Sequence, residues 1–150
     1  MKYTALIVLL VVALMSCQRK ESTPREWKSI EKSLQTQLIA ANDGDTIELP
    51  EGAFMFTKSL LMDGKSNILI KGQGKDKTIL SFKNQTEGAQ GILITNGKNI
   101  VLQDFTAEDA KGDIIKVSDT RGITFTRIRA QWTAGPSNAN GAYALYPVLG

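Results

Sequence analysis

The feature that most constrains this chain is a short sentence written twice. Residues 91–105 (GILITNGKNIVLQDF) fall on residues 114–128 (IIKVSDTRGITFTRI) at an offset of 23. Ile92 meets Ile115, Ile94 meets Val117, Asn96 meets Asp119, Ile100 meets Ile123, Leu102 meets Phe125 and Phe105 meets Ile128. A fixed period of roughly 20 to 30 residues, built from short strands between polar corners, is how a solenoid shows itself in sequence. An earlier copy, residues 60–70, aligns with 92–102 at an offset of 32, so that Asn67 overlies Asn99 and Ile68 overlies Ile100. One coil therefore carries nine residues more than its successor, and the candidates are 72–77 and the polar connection 83–90.

Each repeat reads as strand, corner, strand, sharper corner, strand. First strands are expected at 60–62, 92–94, 115–117 and 144–146, second strands at 47–49, 68–70, 100–102 and 123–125, and third strands at 54–56, 78–82, 105–107 and 128–130. Strand alternation puts Ile92, Ile94, Ile115, Val117, Ile100, Leu102, Ile123 and Phe125 inside, and Leu61, Leu93, Lys116 and Leu145 outside on the first strands. Asn67 and Asn99 share a corner where an amide can tolerate a left-handed backbone, and Gly122 takes that place one coil later. The spaces between strands are too short and too rich in Gly, Asn and Asp for crossover helices, which disfavours an α/β fold. A β-sandwich is the alternative, but it needs antiparallel hairpins where the repeat runs in one direction. The expected class is all-β, a right-handed parallel β-helix with a short N-terminal capping α-helix.

Ahead of the coils, Thr23 reads as a helix N-cap, Pro24 as the first helical residue and Glu26 as its capping-box partner. Trp27, Ile30, Leu34, Leu38 and Ala41 follow on one face, and Asn42, Asp43, Gly44 and Asp45 stop the helix. An open first coil needs such a cover. Upstream, Lys2 and the apolar run from Thr4 to Leu14 read as an export signal too short to span a bilayer, ending at Leu14-Met15-Ser16-Cys17. The divisions are thus a signal peptide at 1–16, a tether at 17–22, the capping helix at 23–42 and coils at 43–150. The last coil reads as incomplete, because residues 148–150 stop on a corner.

The segment before Cys17 resembles the lipobox of bacterial lipoproteins, whose cysteine is lipidated and becomes the first mature residue. An uncut anchor, or an ordinary signal with an incidental cysteine, is the alternative. The wider pattern, from Leu38 through GDTIELPEGAF and NILIKGQGKDKTILSF to NGAYALYPV, resembles the right-handed parallel β-helix repeat proteins of bacteria. These are pectate-lyase-like in fold, and some are exported lipoproteins. The resemblance implies a location in the cell envelope, at the outer membrane of a Gram-negative host given Gln18 after Cys17. It also implies carbohydrate binding or polysaccharide processing of a lyase, hydrolase or epimerase kind.

Composition removes several chemistries. There is no histidine, which excludes imidazole bases, triads and imidazole metal sites, and the lone cysteine excludes an internal disulfide. The formal charge of +3 falls to about +2 once Lys2 is removed with the signal, too little to argue for nucleic acid. The candidate ligand-binding residues are Asp109 and Asp113 as a calcium or acid/base pair, Lys116 or Arg129 for a uronate carboxylate, and Trp132 as a sugar-stacking platform. The structural alternative makes the acids a turn, pairs the arginines with Asp104 and has Trp132 filling an insertion. No catalytic residue is assigned and no cofactor is evident; calcium has no loop of matching spacing. Gly72-Gln73-Gly74 lacks the following helix of a phosphate cradle and reads as a corner, and Tyr143 suits either a ligand or the interior. The outward leucines favour a second function, a non-catalytic scaffold contacting another exported protein.

The anchor is testable directly. Cells fed a clickable fatty acid should label the parent protein and not Cys17→Ala; label on the variant would sink the lipobox reading.

Overall fold

Short aliphatic runs between Gly, Asn and Asp corners each extend for only a few residues before the backbone turns, and none can bury its apolar side without a neighbour. The structure is a computed structural model and describes residues 24–148. In chain order the elements are β1 (Trp27–Lys28), α1 (Glu31–Ala40), β2 (Thr46–Glu48), β3 (Gly52–Met55), β4 (Lys58–Asp63), β5 (Leu69–Lys71) and β6 (Thr78–Ser81). Then come β7 (Glu87–Thr95), β8 (Lys98–Gln103), β9 (Thr106–Glu108), β10 (Ile115–Ser118), β11 (Arg121–Thr126), β12 (Arg129–Gln131) and β13 (Leu145–Val148). They form three parallel sheets: β4-β7-β10-β13 from the first strands, β2-β5-β8-β11 from the second, and β1-β3-β6-β9-β12 from the third. The described residues form a parallel β-solenoid of about five turns with one short helix, α1.

Register follows the repeat. Ile115 lies against Ile92 and Val117 against Ile94, while Leu60 lies against Ile92 across the offset of 32. On the second sheet Ile47, Ile70, Leu102 and Phe125 form one row. Ile94, Ile100 and Leu102 are fully buried, and each such side chain contributes about 1.5–3 kcal/mol relative to exposure. Ile123 and Phe125 face the same core yet are only half-buried, because β11 has a neighbouring strand on one side alone among the described residues.

The nine extra residues divide between both sequence candidates. From Ile70 to Ile79 is nine steps against four between their partners Leu102 and Thr106, and from Ile79 to Ile92 is thirteen against nine between their partners Thr106 and Ile115. The first excess makes the corner at Gly72, where an added Cβ would meet the Asp104 carbonyl and Phe105, and Gly74 N–H donates to that same carbonyl at 2.8 Å. The second differs from the expected loop, since β7 begins at Glu87, pairs Glu87 with Lys58 and then shifts register before Leu60 meets Ile92. The buried Gln85 side chain fills that irregularity, donating to Gln90 O at 2.8 Å and to Ser59 Oγ at 3.0 Å.

The helix begins later than the Thr23 and Pro24 signals predict. Thr23 lies outside the described residues, Trp27 is in a strand and α1 starts at Glu31 behind Ile30. The physical reason is the open edge of the third sheet. Trp27 and Lys28 pair with Ala53 and Phe54, giving β3 a partner that an additional helical turn would have removed. The rest of the predicted stripe holds, with Leu34, Leu38 and Ala41 buried over the first coil. Side chains of α1 also occupy the edge of the first sheet. Gln35 donates to Leu61 O at 2.8 Å and accepts from Leu61 N–H at 2.9 Å, as a neighbouring strand would, and Glu31 accepts from Thr57 and Lys58 N–H. Lys65 Nζ donates to Ile39 O and Ala41 O at 2.6 and 2.9 Å, placing a cation at the carbonyl end of the helix.

The corners carry left-handed residues in vertical rows. Asn67, Asn99 and Gly122 have φ of 56°, 51° and 75°, and Gly64, Asn96 and Asp119 have 65°, 52° and 51°. Asn99 Nδ2 donates to Asn67 Oδ1 at 2.9 Å, and Asn67 Nδ2 to Asp43 Oδ1 at 2.5 Å, so the side-chain ladder runs one step further than the paired asparagines alone. At the second corner Asp104 and Arg127 are also left-handed. Arg127 Nε and Nη2 donate to Asp104 at 2.5 and 2.8 Å, and these bonds, with Gln103, hold the carboxyl down at about 2.

Gly122 marks where the amide ladder stops. Gly122→Asn should extend it from the adjacent Asn99 Oδ1 and leave stability within about 0.5 kcal/mol of the parent, while Gly122→Val, strained at positive φ, should lose about 1–3 kcal/mol. Urea denaturation of the two variants measures both.

Candidate functional site

The outer face of the first sheet is set by in-register alternation: Leu61, Leu93, Lys116 and Tyr146 stand in one row. This corrects one expectation. Leu145 pairs with Ile115 on the inward row, and Tyr146 takes the outward place beside Lys116. Leu145 remains 38% exposed because, among the described residues, no strand lies beyond β13 to cover it.

Tyr146 does not stand alone. Tyr143, half-exposed, stacks on it with ring centroids 4.4 Å apart and planes 22° apart, and Lys116 Nζ lies 5.4 Å from the Tyr146 ring centre. The offset stack and the cation over the ring are both favourable arrangements for aromatic quadrupoles. Among the described residues no carboxylate lies within salt-bridge distance of Lys116. The face thus combines an aromatic pair, one cation and two leucines, with Leu61 44% exposed.

The loop between β12 and β13 delivers Tyr143 to this face, and it is fastened at both ends. Asp109 accepts from Thr133 N–H at 2.6 Å and from Thr133 Oγ1 at 2.8 Å. Asp113 Oδ1 accepts from Tyr143 N–H at 3.1 Å. Trp132 donates its indole N–H to Ala110 O at 2.8 Å, and Gly141 sits so close to the Gly112 backbone that a side chain there would collide. Inside the loop Asn140 donates to Gly135 O, and a recess of about 430 Å³ opens between Trp132, Gly135, Pro136, Ser137, Asn140 and Gly141.

The five candidate residues therefore separate. Asp109 and Trp132 hold the start of the loop, and Asp113 holds its end. Lys116 belongs to the first sheet beside Tyr146. Arg129 lies on the third sheet, with Nη1 2.7 Å from Asp76 Oδ1, so Lys116 and Arg129 stand on different sheets. Asp109 uses both oxygens on Thr133, and among the described residues no group of three acids or cysteines could hold a metal ion. Cys17 lies outside the described residues. The Tyr146 contribution was missed because the loop breaks the 23-residue period: the spacing from Ile115 to its partner Leu145 is 30, so the phase of the last strand could not be read from the repeat.

The anchoring role of Asp109 has a measurable consequence. Asp109→Ala should cost up to about 1.5–3 kcal/mol, the range for hydrogen bonds to a charged group, and should speed proteolysis within 133–142 more than elsewhere. Equal cleavage of parent and variant in that loop would reject the role.

No protein-family model matches the chain, and no curated protein or solved structure matches it significantly.

Proposed function

We propose that this is an exported, lipid-anchored β-solenoid of the pectate-lyase-like kind that binds carbohydrate on the outer face of its first sheet. The observation that carries the reading is the stack of exposed Tyr143 on half-buried Tyr146 beside Lys116. Sugar rings present apolar C–H faces that suit an exposed aromatic surface, and a lysine ammonium donates hydrogen bonds to ring hydroxyls or to an acidic substituent. Trp132, at the far end of the same loop, offers a second apolar wall over the recess it lines. Lyase, hydrolase or epimerase chemistry is assigned to no residue here. The Asp109 and Asp113 carboxylates are engaged in holding the loop, and their role in this reading is to position Tyr143.

A second reading has its own observation. Leu61, exposed, and Leu93, half-buried, continue the row away from Lys116, and an aliphatic stripe suits a protein partner better than a polyanion. In that reading the solenoid is a non-catalytic scaffold for another exported protein.

The full-length protein on a glycan array, with release of unsaturated sugars followed at 235 nm, separates the two. Carbohydrate binding is expected, with Tyr146→Ala and Lys116→Ala each weakening it about tenfold, near 1.4 kcal/mol, without a change in melting temperature. Unchanged affinity rejects the site. Absence of binding to any acidic or neutral polysaccharide, together with co-purification of a protein through the Leu61–Leu93 row, rejects the carbohydrate reading in favour of the scaffold.

A further inference from the structure

The third sheet holds the one buried charged residue among those described. Glu108, on β9, is 1% exposed. Its Oε1 accepts from Arg25 Nη1 at 2.9 Å and its Oε2 from Gln131 Nε2 at 3.2 Å. Arg25 is 83 residues earlier in the chain, two residues before β1. In the sheet order β1-β3-β6-β9-β12, three inter-strand steps separate β1 from β9, about 14 Å at the usual strand spacing. Glu108 alternates with the core residue Ala107 and so faces away from the core, and Arg25, whose guanidinium also lies 5.9 Å from the Trp27 ring, reaches it on that side.

That outer face carries a polar row. Ser81, Glu108 and Gln131 are in register, and the Ser81 hydroxyl is buried without a hydrogen-bond partner. The segment above it is lightly held. Residues 24–28 are all exposed, Trp27 at 39%, and β1 has two residues. The neighbouring helix is held differently, by buried Leu34 and Leu38, by the Gln35 pair with Leu61 and by Lys65 on its last carbonyls.

We infer that residues 24–28 are a strap locked by the Arg25–Glu108 pair, able to lift from the third sheet while α1 stays docked, and that lifting uncovers the edge of β3 and the polar row of Ser81, Glu108 and Gln131. The lock is asymmetric. Arg25 is 44% exposed and returns to water at little cost, whereas Glu108, 2% exposed at its side chain, keeps only Gln131 when Arg25 leaves. A buried carboxylate deprived of its cation draws in solvent or another cationic group, so the open strap presents an acidic recess beside a free strand edge. Both are features that an extended basic segment would recognise.

Limited trypsin digestion of the full chain, read by mass spectrometry, tests the strap. Cleavage after Lys28 requires β1 to detach, and when opening is fast its rate follows the detached population. Arg25→Gln and Glu108→Leu should each speed cleavage after Lys28 about tenfold or more, with cleavage after Lys83 and Lys111 unchanged. The double variant should be no faster than the quicker single one, because both remove the same contact. An unchanged rate after Lys28 in Arg25→Gln overturns the inference. So does equal acceleration at Lys83 and Lys111, which would mean general loosening, and so does multiplication of the two single effects in the double variant. Circular dichroism melts of all three confirm that folded protein is being compared.

Discussion

Everything in this molecule depends on the fact that a coil cannot satisfy its own backbone. A parallel strand of three to six residues has all its inter-strand partners in the coils before and after it, so hydrogen bonding and apolar burial are both nearest-neighbour terms. That constraint demands strict register. A one-residue slip would carry Ile92, Ile94, Ile115 and Val117 from the core to the surface at once. The left-handed corners protect the register by turning the chain at equivalent points in successive coils, and they draw on glycine and on the two residue types, asparagine and aspartate, that tolerate such a backbone while keeping a polar side chain. Arg127 is the exception, kept left-handed beside Asp104 by a two-point ion pair.

The same constraint makes the ends of the stack the interesting places. At the N-terminal end two sheet edges are covered by unlike devices. One is a helix whose glutamine imitates a strand, the other a two-residue strand led by an arginine. The first is backed by buried leucines and the second by an ion pair, and this difference in what lies beneath separates a fixed cover from a removable one. Towards the other end the half-burial of Ile123 and Phe125 and the exposure of Leu145 show what the interior becomes wherever a neighbour is not supplied.

The candidate site arises where the period is interrupted. An insertion between β12 and β13 is free to leave the solenoid surface, but it acquires definite geometry only through the Asp109, Ala110 and Asp113 acceptors of the preceding coil. The residues most suggestive of chemistry in the sequence, two carboxylates in a glycine-containing turn, are thus accounted for by loop positioning. The Tyr143–Tyr146 pair and Lys116 are left as surface features with no structural duty in the core.

Much of the fold was legible from residues alone. The Ile, Leu and Val rows, the three strand classes, the shared Asn67 and Asn99 corner and the nine-residue irregularity all follow from local periodicity, because side-chain alternation and corner chemistry act over a few residues and repeat in every coil. What only the tertiary structure decided involves partners distant in sequence. The open edge of β3 converted Trp27 from a helical residue into a strand residue. The loop before β13 set the phase that faces Tyr146 outward in place of Leu145, and a contact across 83 residues placed Arg25 on Glu108. No repeat pattern encodes these, because each is a competition for unpaired backbone or buried charge that exists only once the coils are stacked.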